Sequence, residues 1–463
     1  MLLAAPRFRT TVASGAVVIA LLMVSQPVMS ASGDAPWQAE RAAVEEVSRA
    51  RLAWLRQPET WRLHWSRPLT VTVPAVAAGL IAWLDDGALH GVRAGDGLPA
   101  WRTVPSGDTL IFPRTAMPLR GRGRPVDLVP ASSASCGHLI YGVINAGPLG
   151  PQLACLDCSD TAEGRLLWSM SPPGELVGFD GPPAADDHLC VIVGRGGGDR
   201  GVLEIIVHDA RDGVVVWRRS LSTAVAGDGM DPARGRRQAA LAGGLVIVAD
   251  HAGSVWAFDR DGRPAWRYTY EVPFARGNDR RTDRGTGWPH LAAPVVPGPE
   301  GFVVAPQDRG GVLALAGAAH VAQCLWETAD GEPLRIVGVA DGCAVVEKQG
   351  EGKQGRLIVL DAVSGRVVAS TPTETMPAGQ AVMAGGVVLQ PVVQEGAATR
   401  QVALAALASA TLRRFGSPFP LSVPPAVAAM VGPTEPHAVH LRATPTAVIV
   451  AAANQLLSIG PLP

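Results

Sequence analysis

Lysine is almost missing from this chain: Lys348 and Lys353 are the only two among 40 basic residues. Asparagine is nearly as rare, with only Asn145, Asn278 and Asn454. Six cysteines are present and no two are adjacent. No His-Glu-x-x-His occurs, which removes the commonest helical zinc-protease signature, and the ten histidines are scattered. No Gly-x-Ser-x-Gly occurs, which disfavours an α/β-hydrolase nucleophile. Charge of either sign is also in short supply. A net charge of −1 gives no global field to recruit nucleic acid or an anionic membrane.

Long hydrophobic runs are missing as well, with one exception near the start. Arg7 and Arg9 precede an apolar run from Val12 to Val24, followed by small residues around Ser30 and Ser32. Thirteen residues fall short of the ~20 that a membrane span needs, so residues 1–30 read as a cleaved export signal. No cysteine lies near the cleavage region for lipid attachment, and Phe8 splits the arginine pair. The expected location is the periplasm or cell envelope, with no transmembrane domain after cleavage. Residues 31–57 read as a helical extension: Asp34 is a candidate N-cap, and Trp37, Val44, Val47, Leu52 and Leu55 recur at helical spacing.

What remains is short runs of Val, Ile and Leu cut by turn residues, and it repeats. From Leu245 the chain reads apolar run, His251-Ala-Gly-Ser, apolar run, Arg260-Asp-Gly, apolar run, which is an antiparallel meander. The recurring signal is a Gly with a Trp four residues on: Gly97/Trp101, Gly164/Trp168, Gly213/Trp217 and Gly262/Trp266. Asp209, Asp259 and Asp361 precede turn glycines Gly213, Gly262 and Gly365 and read as turn formers, not acids for catalysis. After Gly365, Ala369 stands where Trp is expected. Strand alternation places each Trp on the same face as its own turn Gly. Units spaced about 40–65 residues apart mark a propeller with one four-stranded sheet per repeat.

The complete pattern Asp209-x-x-x-Gly213-x-x-x-Trp217 resembles the repeat of the PQQ-like, quinoprotein-type β-propellers. The resemblance implies that Trp217 and Trp266 pack between neighbouring blades. It also raises PQQ with calcium as a cofactor. The enzymes of that family carry an adjacent cysteine pair and a calcium constellation that this chain lacks, so the resemblance is to the non-catalytic, BamB-like branch.

The expected architecture is therefore all-β: an eight-bladed propeller over residues 58–463, with seven blades as the alternative. Trp61-Arg-Leu-His-Trp65 looks like a last strand without its sheet, and Ala447–Val450 with Leu456–Ile459 look like a sheet without its last strand. Pairing them closes the ring.

Function is expected on the face carrying the long connections. There Arg234, Arg236 and Arg237, with Arg276, Arg280, Arg281 and Arg284, form a candidate basic patch for an acidic partner, a sulfated or carboxylated glycan, or a phosphate. Asp279 and Asp283 favour internal pairing of that segment instead. Gly194–Asp199 is glycine-rich but reads as a hairpin tip. Cys155-x-x-Cys158 reads as a disulfide or two free thiols, and Cys324 and Cys343 as strands that could meet. No catalytic residue and no metal ligand stand out. The expectation is an envelope scaffold for a protein or ligand, with a PQQ-calcium dehydrogenase or other enzyme as the alternative and the oligomeric state open.

Overall fold

The structure is a computed structural model. It describes residues 50–461 except for connecting segments, the longest being 104–133, 226–238, 271–295 and 422–438. The export signal and most of the expected helix lie outside the described residues.

The strands pair into eight antiparallel sheets. Blade 1 holds Ala75–Ala77, Leu80–Asp85, Ala88–Arg93 and Pro99–Thr103; blade 2 holds Ala134–Cys136, Leu139–Asn145, Pro151–Asp157 and Arg165–Met170. Blade 3 has a split innermost strand, Leu176–Phe179 and Ala184–Ala185, then Leu189–Gly196, Arg200–Asp209 and Val215–Val225. Blade 4 holds Ala239–Ala242, Leu245–Ala249, Ser254–Asp259 and Pro264–Thr269; blade 5 holds Val296–Pro297, Phe302–Pro306, Val312–Ala318 and Val321–Glu327. Blade 6 holds Leu334–Ala340, Cys343–Gln349, Gly355–Asp361 and Val367–Pro372; blade 7 holds Val382–Ala384, Val387–Glu395, Arg400–Ala408 and Phe419–Pro420. Blade 8 is composite. Its inner strands are Val439–Ala443, Val448–Ala452 and Gln455–Pro461, and its outermost is Trp61–Pro68 from the other end of the chain, with Trp61 opposite Pro461.

Every pair of neighbouring blades shares its own hydrophobic cluster, so eight interfaces close the ring. The core is thus not central but divided among wedges between sheets, each filled by alternate residues of two facing strands. The N-terminal pairing that zips blade 8 also buries Trp61 against blade 7. Just before it the chain forms two 3₁₀ turns, Ala53–Arg56 and Pro58–Thr60. Leu55 is buried in the blade 7–8 cluster, and Trp61 Nε1 donates to Trp54 O at 3.1 Å.

The repeated Gly and Trp do not pair as strand alternation implies. A Cβ on Gly213 would meet the ring of Trp168 from blade 2, and one on Gly262 would meet Trp217 from blade 3. Gly97 faces Trp65 and Gly365 faces Trp326 in the same way. Each turn Gly therefore looks back to the preceding blade while the Trp of its own unit looks forward. A β-bulge is the cause. Val207 pairs with Trp217 but His208 with Val215, which leaves Val216 as the extra residue. The same step precedes Trp101, Trp168, Trp266, Trp326 and Ala369. One extra residue breaks the two-residue alternation and turns the following side chain to the other face. Three of the extra residues, Leu167, Val216 and Val368, are left exposed. Ala100, Ala265 and Leu325 instead stay partly buried against the interface clusters.

The docking geometry is regular. Nε1 of Trp65, Trp168, Trp217 and Trp326 donates to the backbone oxygen of Ala94, Ala210, Arg260 and Ala362 respectively, at 2.8–3.2 Å. In the last three of these turns the acceptor directly follows the turn Asp, whose side chain caps the turn: Asp209 Oδ1 accepts from Arg211 N, Asp259 Oδ1 from Arg263 N, and Asp361 Oδ1 from Ser364 N. Those carboxylates are turn formers. Trp266 reaches blade 5, packing on Leu313 and Leu315, but its Nε1 has no partner there. Ala318 pairs with Val321, so blade 5 makes its hairpin without the Asp-x-x-x-Gly turn that offers the acceptor.

Between blades 6 and 7 the scheme is inverted. Leu412 occupies the turn-glycine position, with φ 54° and its amide donating to Ala408 O at 2.8 Å. It packs in one cluster with Ala369, the residue in place of Trp. The small and large partners have changed sides. Ser409 Oγ supplies an inter-blade hydrogen bond instead, donating to Asp341 Oδ2 at 3.0 Å.

Candidate interaction surface

Connections from second to third strand, and from one blade to the next, share a face. The longest undescribed segments are blade-to-blade connections on that face, and two of them, 226–238 and 271–295, flank blade 4. All seven arginines of the candidate basic patch fall in these two segments and lie outside the described residues. Gly164 does as well. The other repeat residues are placed in the blade interfaces, where they build the fold.

Blade 4 itself carries an ordered polar assembly at this end. Leu245–Ala249 runs up to Asp250, whose side chain is buried. Asp250 Oδ1 accepts from Ser254 N at 2.9 Å, and Oδ2 accepts from Trp256 Nε1 at 3.0 Å. Antiparallel register sets Trp256 opposite Arg267 on the outermost strand. Arg267 Nε and Nη2 both donate to Ser254 Oγ, at 3.1 and 2.8 Å, and the guanidinium carbon lies 4.2 Å from the Trp256 ring centre. Trp256 in turn stacks on Phe258 with an interplanar angle of 4°.

The buried carboxylate thus fixes the indole, the indole and serine fix the guanidinium, and the exposed guanidinium edge faces solvent. A stacked, pre-oriented Arg on an aromatic is a typical anchor in protein interfaces, since little side-chain freedom remains to be lost on binding. Spacing along the sequence gave no sign of it. Asp250, Trp256 and Arg267 meet only through cross-strand register.

The cysteines offer no chemistry of this kind. Cys155 points into the blade 2–3 cluster and Cys158 into the blade 1–2 cluster, so the two sit on opposite faces of their sheet. Both thiols are free, as are Cys324 and Cys343, which belong to the blade 4–5 and blade 6–7 clusters and do not meet. Burial pushes the thiols of Cys155 and Cys158 up to about 12, and burial with the nearby Asp187 carboxylate does the same to Cys136. Protonated thiols of this sort are structural packing, not nucleophiles.

His208 follows the same pattern. It is buried, stacks on Trp168 at 6.1 Å, and its Nδ1 lies 2.8 Å from Gly213 O. Burial lowers its pKa, so the neutral ring donates to the turn carbonyl. The histidine therefore braces a blade dock.

The innermost strands face the ring's axis. Most of their residues are apolar, as in Ala75–Ala77, Ala184–Ala185, Ala239–Ala242, Val296–Pro297 and Val382–Ala384. The basic exceptions are Arg335 in blade 6 and His440 and Arg442 in blade 8. None of these eight innermost strands carries an Asp, Glu, Asn or Gln. Among the described residues no group of three or more His, Cys, Asp or Glu is disposed to hold a metal ion. Calcium requires six to eight oxygen ligands, which these strands' side chains do not offer.

A ring of eight antiparallel sheets, docked by Trp on turn Gly, defines a β-propeller. The family model described as "Outer membrane protein assembly factor BamB" matches residues 150–371. Among solved structures, BamB from Moraxella catarrhalis superposes with a TM-score of 0.52 at 12% identity, covering 86% of this chain and 99% of that one. A quinohemoprotein alcohol dehydrogenase from Pseudomonas putida HK5 gives 0.49 at 13% identity, over 87% of this chain and 76% of that one. A europium-containing methanol dehydrogenase gives 0.45 at 13% identity, over 87% and 93%. No curated protein matches the sequence.

Proposed function

We propose that this chain is an exported, non-catalytic propeller that holds a protein partner in the cell envelope through its long-connection face. The observation that carries the reading is the Arg267–Trp256–Ser254–Asp250 assembly, at the end of the one blade flanked by both arginine-rich connections. Cations there select an acidic partner segment, and the fixed aromatic supplies apolar contact beside it. The match to the BamB family model and the export signal read from residues 1–30 support the envelope as the setting. The innermost strands, which carry no carboxylate or amide side chain, support a propeller that works without PQQ and calcium.

The test is site-specific photo-crosslinking in the source cells. A photoreactive residue replaces Thr269, beside Arg267, and in a parallel strain replaces Val363 on the opposite, tight-turn face. A discrete protein adduct is expected from position 269 and lost when Arg267→Ala is added. Equal adducts from both positions, or none from position 269, would refute the reading.

A further inference from the structure

The outermost strands of blades 3 and 4 flank a row of rings in the interface between them. Trp217 lies on Gly262 at the tight-turn end. Its ring centre is 5.6 Å from that of Phe258, Phe258 stacks on Trp256 at 6.2 Å, and Trp256 carries the Arg267 guanidinium at 4.2 Å. The row runs from the dock up to the rim, and burial falls along it: Phe258 is buried and Trp256 only partly so.

A second arginine stands at the lower end. Arg219 follows Trp217 by two residues, so it leaves blade 3 on the same side. Its Nε crosses to blade 4 and donates to Gly262 O at 3.1 Å, which leaves both terminal amino groups unused. Arg219 and Arg267 are both exposed. The carboxylates around them are already engaged. Asp250 accepts from Ser254 N and Trp256 Nε1, Asp259 accepts from Arg263 N, and Asp261 lies 3.7 Å from Arg263. Among the described residues neither arginine meets a carboxylate. The blade 8–1 dock repeats one half of this, with Arg67 Nη2 donating to Gly97 O at 2.6 Å, but there no described guanidinium stacks on a ring.

The two cations are tethered at opposite ends of the row. From Gly262 to Arg267 the chain makes one bulge, so the separation is roughly four residues of extended strand, ~13 Å. In an extended ligand, residues i, i+2 and i+4 project to one side. We propose that the cleft between blades 3 and 4 is a docking groove for an extended acidic peptide segment of the pattern acid-x-apolar-x-acid. The acids meet Arg267 and Arg219, and the apolar residue rests on the row between them. This groove rests on the scaffold reading and names the partner chemistry for it.

Fluorescence anisotropy of the full chain tests it with two labelled peptides of one composition, Glu-Ser-Phe-Ser-Glu and Glu-Glu-Ser-Phe-Ser, each flanked by Gly-Ser. The spaced peptide is expected to bind saturably and several-fold more tightly than the adjacent-acid one. R219Q and R267Q are each expected to weaken it several-fold and to erase the preference. R219K, which keeps the charge, is expected to recover part of the affinity. R218Q is expected to change nothing, because Arg218 pairs with Glu204 on the side facing blade 2. No binding of the spaced peptide, equal affinity for both peptides, or undiminished binding in R219Q would overturn the groove. The scaffold reading fails separately, since the adduct from position 269 is tested through Arg267. An adduct that R267A removes and R219Q spares would keep the scaffold and overturn the groove.

Discussion

The blade 3–4 and blade 6–7 docks solve one packing problem in opposite ways. In the first, Trp217 lies on Gly262, and its Nε1 binds the turn at Arg260 O. In the second, Ala369 meets Leu412, and the polar link moves to Ser409 and Asp341. A one-residue bulge precedes both Trp217 and Ala369. In each facing turn the residue of positive φ donates its amide back into the turn, Gly262 to Asp259 O and Leu412 to Ala408 O. Volume is therefore shared across the interface: whichever side is large, the other is small. The difference teaches that the repeated Trp is one answer to the wedge between blades and not a requirement of the fold.

The comparison can be broken most severely at Trp217. Trp217→Ala removes a buried ring with no local means of collapse and is expected to cost about 3–5 kcal/mol in denaturant unfolding. A loss below ~1 kcal/mol would mean that the wedge is not load-sharing. The swap itself is tested by Ala369→Trp with Leu412→Gly. Either change alone is expected to destabilise by about 1–3 kcal/mol, through overpacking or a cavity. Together they recreate the usual dock, so a double-mutant cycle is expected to show favourable coupling of about 1–3 kcal/mol. Additive losses would contradict the complementarity. Ser409→Ala removes the substitute hydrogen bond and is expected to cost about 1 kcal/mol.

The smallest effect is one of pH. His208 is lowered by burial, so the folded chain keeps it neutral where the unfolded chain binds a proton. Its contribution is present above the unfolded pKa of about 6.5 and is lost as pH falls from there toward the depressed folded value. Stability measured between about pH 7 and 5 is expected to fall less steeply in His208→Gln than in the wild type.

Much of this fold is legible in the sequence, and the reasons are specific. Gly213 and Trp217 mark a docking unit, one half of each of two neighbouring docks, because positive φ and a large ring leave a spacing that survives in the sequence. Trp61–Trp65 reads as the closing strand because a strand without a sheet must find an edge. The partners of each dock are not legible, because Val216 and its counterparts are ordinary strand residues whose role as bulges depends on pairing. Leu412 is hidden for a similar reason. Nothing in Ala-Thr-Leu-Arg announces a left-handed turn residue, and only the facing Ala369 explains it. The candidate surface escapes for lack of local pattern. Asp250 and Arg267 are joined through Ser254 and Trp256 by register across two strands.

The central claim is that the propeller works as a scaffold and not as a quinone enzyme. Titration of the purified chain with PQQ, with and without calcium, tests it most directly, followed by fluorescence of its 12 tryptophans. No calcium-dependent, saturable quenching is the expected result. Saturable binding in the micromolar range that requires calcium would contradict the account and make the ring's axis a catalytic site.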